Sequence, residues 1–219
     1  TELTASEAEQ FLAEHPDAND DVSLYLPCAV RAVRNGVQRA HLISNNVDGS
    51  LLMELFTHDG IGTMISRESL ETLRQATIDD IGGMLALIEP LEDQGVLVKR
   101  GRELLEREVH RYSVLEHDGK TIGIVAIHPF PNSKMAELAC LVIHPDYRDE
   151  DRGADLLRHV EQQARGLGIE KLFALTTRTS HWFVERGFKQ ASVDELPMEK
   201  KEMYNYQRRS KVFIKQLQR

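Results

Sequence analysis

The sequence predicts an α/β fold in two parts of unequal completeness, divided near residue 75. Three observations carry this expectation. Strand-like apolar runs interleave with stretches of helical periodicity. Tyr112-Ser-Val-Leu-Glu116 and Thr121-Ile-Gly-Ile-Val-Ala-Ile127 flank His117-Asp-Gly119, a hairpin with an Asp-Gly turn. The stretch Leu138-Ala-Cys-Leu-Val-Ile-His-Pro-Asp-Tyr-Arg-Asp-Glu-Asp-Arg-Gly-Ala-Asp-Leu-Leu157 passes from a buried strand through an Arg-rich loop into a helix. Such a loop presents free backbone N–H groups at a helix N-terminus, a ready site for a pyrophosphate.

Taken in order, residues 20–34 read as an amphipathic helix closed by Asn35-Gly36, followed by a strand over 37–44 and a helix over 50–57. Beyond the division, Thr77 or Asp79 is the N-cap of a helix with apolar residues at 81, 84, 85 and 88. A Glu-rich helix over 101–110 precedes the hairpin. A strand over about 135–144 and a helix over 152–166 form the strand-loop-helix unit, with Gly153 in the first helical turn. A strand over 171–177, a short helix over 180–186 and an alternating strand over 211–217 complete the chain. No internal repeat or low-complexity tract interrupts this pattern.

Composition sets limits. With 219 residues and 41% apolar content the chain can bury an ordinary core. A net charge of −8 argues against a nucleic-acid binder, so an anionic ligand has to be held by local arginines. Cys28 and Cys140 are far apart with no metal-type spacing, which fits a reducing cytosol and predicts no metal. No apolar run reaches a membrane span and no signal-peptide pattern opens the chain, so a soluble cytoplasmic protein is expected.

The loop after residue 143 resembles the acetyl-coenzyme A motif of the GNAT acetyltransferases, roughly Arg/Gln-x-x-Gly-x-Gly/Ala. Arg148, Asp151 and Gly153 fill its three anchor places, with Asp replacing the first glycine. The element order over residues 76–219 is also similar to that family, as is Trp182-Phe-Val-Glu-Arg-Gly-Phe188. The resemblance implies a GNAT fold, a mixed and mostly antiparallel sheet splayed at the coenzyme strand and flanked by helices. Residues 36–65 are similar to the end of the amino-acid-kinase fold of acetylglutamate kinases, so residues 1–75 are expected to be its C-terminal fragment. That pairing resembles the layout of bacterial N-acetylglutamate synthases. Ile88-Glu-Pro-Leu-Glu-Asp-Gln-Gly-Val-Leu-Val98, Glu137-Leu-Ala-Cys-Leu141, Leu172-Phe-Ala-Leu-Thr-Thr-Arg-Thr179 and Tyr204-Asn-Tyr-Gln-Arg-Arg-Ser210 fit the same family. The kinase fold's glycine-rich nucleotide region is absent, so the chain is expected to be a fragment of a longer protein.

The resemblance implies transfer of an acetyl group from acetyl-coenzyme A to the α-amino group of L-glutamate, by direct attack in a ternary complex, as the first step of arginine biosynthesis. Glu137 is implied as the general base, acting directly or through a water; read alone, it is a strand-edge glutamate on a solvated face. Cys140 is implied to present its backbone N–H to the thioester oxygen, its thiol being a small core residue. Thr176 takes the place of a proposed proton donor, although a β-branched strand residue needs no such role. The tyrosine that often protonates the departing thiolate is Phe183 here. A thiol pKa of ~8.5 makes the thiolate a tolerable leaving group without it. Arg100 and Arg208, with Ser210, are implied to bind the acceptor's carboxylates, for which a guanidinium fork is suited. Arg209 rivals Arg208, and Lys99, Arg100 and Arg102 taken alone form a solvated basic patch.

For the coenzyme, Leu141, Val142 and Ile143 are expected to pair with the pantetheine arm. Arg148, Arg152, Gly153 and Ala154 should cradle the pyrophosphate, while His181, Trp182 and Phe183 line the thiol end. Asp149, Glu150 and Asp151 would repel a diphosphate unless they face solvent or pair with Arg148 and Arg152. His41, Glu54 and Gly60 match residues lining the inhibitory arginine pocket of arginine-sensitive acetylglutamate kinases; alternatively they are an ordinary strand histidine and helix acid. The family commonly forms hexamers through its kinase domains. Two other functions remain open at this point: acetylation of peptide N-termini or another amine, and a non-catalytic arginine-binding regulatory module.

Overall fold

A computed structural model describes residues 1–17, 20–57, 60–148 and 151–217, and divides the chain into two compact units, Thr1–Leu70 and Glu71–Arg219. In the first unit, β1 (Glu2–Thr4) leads into α1 (Ala5–Glu14). Thr4 and Glu7 form a capping box at the start of α1, each side chain satisfying the other's backbone N–H. Then come α2 (Asp20–Arg34), β2 (Arg39–Leu42), α3 (Ser50–Phe56) and β3 (Thr63–Ser66). The sheet has the order β1-β3-β2, parallel between β1 and β3 and antiparallel between β3 and β2. Ala5, Ala8, Leu26, Ala29, Val33 and Ile65 close its core. The expected helix over 20–34 has those bounds, and the expected strand over 37–44 is confined to Arg39–Leu42.

The second unit begins earlier than the predicted boundary. β4 (Glu71–Gln75) belongs to its sheet, paired antiparallel with β5 (Tyr112–His117). As a polar edge strand, Glu-Thr-Leu-Arg-Gln lacks the alternation that marks a strand in sequence. α4 (Ile81–Asp93) and α5 (Arg102–Glu108) lie between these strands in the chain. Thr77 rather than Asp79 is the cap: a 3-10 turn over Ile78–Asp80 precedes α4, and Thr77 and Asp80 form its capping box. β6 (Lys120–Phe130) returns through Asp118-Gly119, both at positive φ as an Asp-Gly hairpin turn requires.

β7 (Met135–Ile143), α6 (Arg152–Gly166), β8 (Lys171–Thr176) and α7 (Ser180–Glu185) follow. β9 (Lys189–Ala191), α8 (Met198–Glu202) and β10 (Lys211–Gln216) end the unit. The sheet order is β4-β5-β6-β7-β8-β10-β9, with β7 and β8 the parallel pair and the other pairs antiparallel.

Period-2 alternation puts helices on both faces. On β6, Ile124 and Ala126 pack with Ile81, Met84 and Ile88 of α4, while Val125 and Ile127 pack with Leu156 and Val160 of α6. On β7 the phase changes. Ala136 and Leu138 join the α6 side, but Cys140 and Val142 join the α4 side. A β-bulge explains the switch: the register with β6 passes from Ala126↔Ala139 to Ile124↔Val142, and Cys140 adopts φ +50°. The extra residue re-aims every side chain beyond it.

Candidate functional site

The β7–β8 ladder covers only residues 135–137 with 171–173. Beyond Glu137 the two strands part. β7 runs on to Ile143 beside β6, and β8 to Thr176 beside β10. A cleft of about 1360 Å³ occupies this wedge, and its wall includes Glu137, Cys140 and Thr176. Arg100, Arg208 and Ser210 line it, as do Leu141, Val142 and Ile143. Arg148, Gly153, Ala154, Trp182 and Phe183 complete the predicted set found there.

Glu137 lies in the last residue pair before the sheet opens, directly opposite His128 on β6. Its side chain is 12% exposed and its Oε2 meets Lys200 Nζ of α8 at 2.7 Å. The two arginines are steered by one loop, 94–100. Arg100 donates to the Val98 carbonyl at 3.0 Å, and Arg208 donates to the Val96 carbonyl. The Arg100 backbone N–H is held by Glu92 Oε1 at 2.7 Å. Burial, then the nearby Arg100 charge, lowers the pKa of the Arg208 guanidinium, while Glu137 opposes that shift. Two guanidinium groups near one another in a half-buried cleft make a site for anionic oxygen. Arg209, at φ +51°, is not part of the cleft wall.

Burial pushes the Cys140 thiol up to about 11. Such a thiol stays protonated at neutral pH, which suits a core residue rather than a nucleophile. The hydroxyl of Thr176 accepts the N–H of Thr179 at 3.1 Å and contacts Thr179 Oγ1 at 2.9 Å, which fixes its direction where β8 meets α7. At Gly153 the start of α6 approaches Trp182 closely: a Cβ there would lie 3.3 Å from the Trp182 ring. Phe183 is buried between Trp182 and Phe188 with edge-on ring contacts at 5.1 Å. Arg148 Nε donates to the Ile143 carbonyl at 3.2 Å, folding the loop back on β7.

Two sequence expectations need correction. Arg152 does not line the cleft; its guanidinium pairs with Glu71 at 2.6 Å and donates to the Tyr147 carbonyl at 3.2 Å. As the first residue of α6, on the side toward β4, it braces the loop from behind. His181 also faces away from the cleft, 88% exposed beside Glu185. Asp151 is 85% exposed and nearest Arg186, at 3.5 Å, rather than Arg148 or Arg152. Asp149 and Glu150 lie outside the described residues.

Sequence reading missed Lys200 and a further group lining the cleft, Glu108, Arg111 and His128. Lys200 belongs to Met198-Glu-Lys-Lys-Glu202, a charged run that reads as a solvated helix face. Arg111 meets His128 Nδ1 at 2.9 Å and Glu108 at 3.2 Å. Burial, followed by the charge of Arg111, lowers the pKa of His128 to about 4, so this ring is neutral near pH 7. A guanidinium only donates, so Nδ1 is the acceptor and the ring proton sits on Nε2.

In the first unit, His41, Glu54 and Gly60 do come together. Glu54 Oε1 meets His41 Nδ1 at 2.6 Å, and Oε2 accepts the N–H groups of Ile61 at 2.7 Å and Gly62 at 2.8 Å. The His41 hydrogen bond is the main reason the Glu54 carboxyl sits at about 2. A Cβ on Gly60 would fall 2.5 Å from Glu54 Oε2.

Among the described residues, no helix is long and apolar enough to cross a membrane, and no group of three or more His, Cys, Asp or Glu could hold a metal ion.

Comparison with known proteins agrees with this architecture. Residues 84–188 match the acetyltransferase (GNAT) family model. The amino-acid acetyltransferase of Serratia proteamaculans is 54% identical over 206 residues, 94% of this chain and 47% of the relative. That of Edwardsiella ictaluri is 52% identical over 219 residues, 99% of this chain and 50% of the relative. The chain thus spans about half the length of the curated relatives it matches.

Among solved structures, N-acetylglutamate synthase from Neisseria gonorrhoeae complexed with coenzyme A and L-arginine is 43% identical with a TM-score of 0.84, covering all of this chain and 49% of that one. The same enzyme with coenzyme A and N-acetyl-glutamate is 44% identical with a TM-score of 0.67, covering all of this chain and 51% of that one. Rv2747 from Mycobacterium tuberculosis, 20% identical with a TM-score of 0.58 over 67% of this chain and 99% of its own, shares the fold. The wedge between β7 and β8, the family match and these relatives lead to one conclusion: residues 84–188 of this chain carry a domain of the acetyltransferase (GNAT) family.

Proposed function

We propose that this chain is the acetyl-transferring portion of an N-acetylglutamate synthase, moving acetyl from acetyl-coenzyme A to the α-amino group of L-glutamate in a ternary complex. The observation that carries the reading is the shared wall of the cleft, where Arg100 and Arg208 stand beside Glu137 at the mouth of the wedge. A dicarboxylate bearing an amine needs cations for its carboxylates and a base for its ammonium, and these residues supply both. The 52–54% identity to amino-acid acetyltransferases supports the same acceptor class. Acetyl-coenzyme A as donor is supported by the family match and by coenzyme A in the synthase structures.

In this reading Glu137 takes the proton from the acceptor's ammonium, and the freed amine attacks the thioester carbonyl. The register with β6 skips Cys140 and Leu141, which leaves the bulge N–H of Cys140 to receive the developing oxyanion. The carbon–sulfur bond then breaks and the thiolate leaves with the electron pair. Thr176 is the candidate to relay a proton to it: the attacking nitrogen gives up its second proton as the Thr176 hydroxyl passes one to the sulfur, leaving a neutral amide, and that hydroxyl is already oriented by Thr179. Leu141, Val142 and Ile143 offer a strand edge to the pantetheine arm, with Arg148, Gly153 and Ala154 at the pyrophosphate and Trp182 and Phe183 at the thiol end. Arg208, lining the cleft, takes the acceptor role ahead of Arg209, with Ser210 as its helper.

For residues 1–70 the reading is the end of an amino-acid-kinase-like regulatory domain, with His41, Glu54 and Gly60 near an arginine site. L-arginine as feedback inhibitor, a hexameric parent protein, a place at the first step of arginine biosynthesis and a cytoplasmic location belong to the same proposal; the arginine in the gonococcal complex supports the first. The test is thiol release from acetyl-coenzyme A with L-glutamate, L-aspartate, L-glutamine and a short peptide as acceptors. Release confined to glutamate supports the synthase reading; release with the peptide alone overturns it in favour of protein acetylation.

A further inference from the structure

The base assigned above is already paired. Lys200 Nζ lies 2.7 Å from Glu137 Oε2, and both side chains are largely withdrawn from water at 19% and 12% exposure. Exposed pairs contribute little, but one withdrawn from solvent is held by a stronger attraction. An acceptor ammonium that gives its proton directly to Glu137 has to come within hydrogen-bond reach of the same carboxylate. Two ammonium groups beside one carboxylate repel each other, and Lys200 on Glu137 also competes for the oxygen that must take the proton. For direct transfer Lys200 therefore has to leave that oxygen before the reaction begins, and an ammonium largely withdrawn from water is best received by another anion.

Of the other carboxylates lining the cleft, Glu108 is engaged by Arg111 at 3.2 Å and Asp151 lies beside Arg186 at 3.5 Å. The acceptor itself brings the anions. One carboxylate occupies the two guanidiniums; a second is the natural destination for Lys200. We propose that Lys200 is a positioning residue that makes Glu137 available only to a dicarboxylate acceptor: its ammonium holds Glu137 until it is exchanged for the acceptor's ammonium and passes to the acceptor's second carboxylate. The inference rests on the synthase reading and on Glu137 as base, and deepens it by naming the residue that distinguishes glutamate from glutamine. Glutamine carries the same amine and one carboxylate but leaves Lys200 without a destination, so Glu137 remains capped. Charge on α8 thereby becomes a specificity device, rejecting by an unexchanged ion pair as well as attracting by new contacts.

The experiment compares kcat and KM for L-glutamate and L-glutamine in the wild-type chain and in Lys200→Met, Lys200→Gln and Lys200→Arg, with Glu137→Gln in the same assay. The neutral variants should raise the glutamate KM, raise kcat with glutamine, and narrow the glutamate-to-glutamine ratio of kcat/KM by about tenfold or more. Lys200→Arg, which keeps the charge, should preserve the wild-type ratio. An unchanged ratio in whichever neutral variant folds, a common fall in kcat with both acceptors, or glutamine release that stays undetectable in both would overturn the proposal. Full activity in Glu137→Gln would instead remove the base assignment, a failure separate from that of Lys200.

Discussion

At the scale of single residues, burial and partners separate groups that look alike in sequence. Cys140 is a cysteine in the candidate site whose buried thiol sits near 11. Cys140→Ala should keep kcat within about threefold, because its backbone N–H is retained, while costing ~1 kcal/mol of stability from the small cavity; steady-state kinetics and a denaturant titration read both. Arg208 and Arg209 are adjacent, yet only Arg208 lines the cleft. Charge-assisted hydrogen bonds contribute about 1.5–3 kcal/mol each, so Arg100→Ala or Arg208→Ala should raise the glutamate KM by roughly 10–100-fold and leave that for acetyl-coenzyme A alone. Arg209→Ala should leave both constants near wild type. Equal effects of Arg100→Ala on both substrates would remove the acceptor pocket as assigned.

At the scale of elements, the start of α4 is held by charge. Asp80 is gripped by Arg74 through two contacts of 2.8 Å and also accepts the Thr77 N–H at 2.7 Å. The Arg74 hydrogen bonds are the main reason its carboxyl falls from the ordinary 3.8 to about 2. A depressed folded value means stability fully present above about pH 4 and lost as pH falls through about 2. With Arg74 35% exposed, solvent screening discounts the contribution to about 1 kcal/mol. Acid titration of the folded chain, followed by circular dichroism, should show this loss between pH 4 and 2, and Asp80→Asn should abolish that part of the pH dependence. The capping boxes at Thr4–Glu7 and Thr77–Asp80 were both spelled in the sequence, but only the second lay beside a periodic helix strong enough to be read.

At the scale of the whole molecule, the boundary between the units lies between Leu70 and Glu71, five residues before the predicted division. β4 supplies the second sheet with an edge, its Arg74 contacts and the Glu71–Arg152 pair behind the loop. A fragment starting at residue 71 should therefore melt higher than one starting at 76. Loss of roughly 2–3 kcal/mol would correspond to about 5–10 °C in Tm for a unit of this size. Equal melting temperatures would mean that β4 contributes nothing to the second unit's stability.

The sequence by itself determined the elements whose physics is local. The amphipathic α2, the Asp-Gly hairpin, the apolar β7 with its loop and helix, and the alternating β10 all follow from periodicity, turn chemistry and short-range capping. The candidate site was legible through motif residues on those elements, since Glu137, Cys140 and Gly153 fall at defined places along one strand-loop-helix unit. Tertiary structure alone decided what depends on partners distant in the chain. A polar β4 becomes a strand because β5 lies beside it. Arg152 braces the loop because Glu71 reaches it. Lys200 enters the site because α8 carries its ammonium to Glu137 of β7, across 63 positions of sequence. Charge pairing acts through space, and a charged run leaves no periodic trace of the single member that is turned inward.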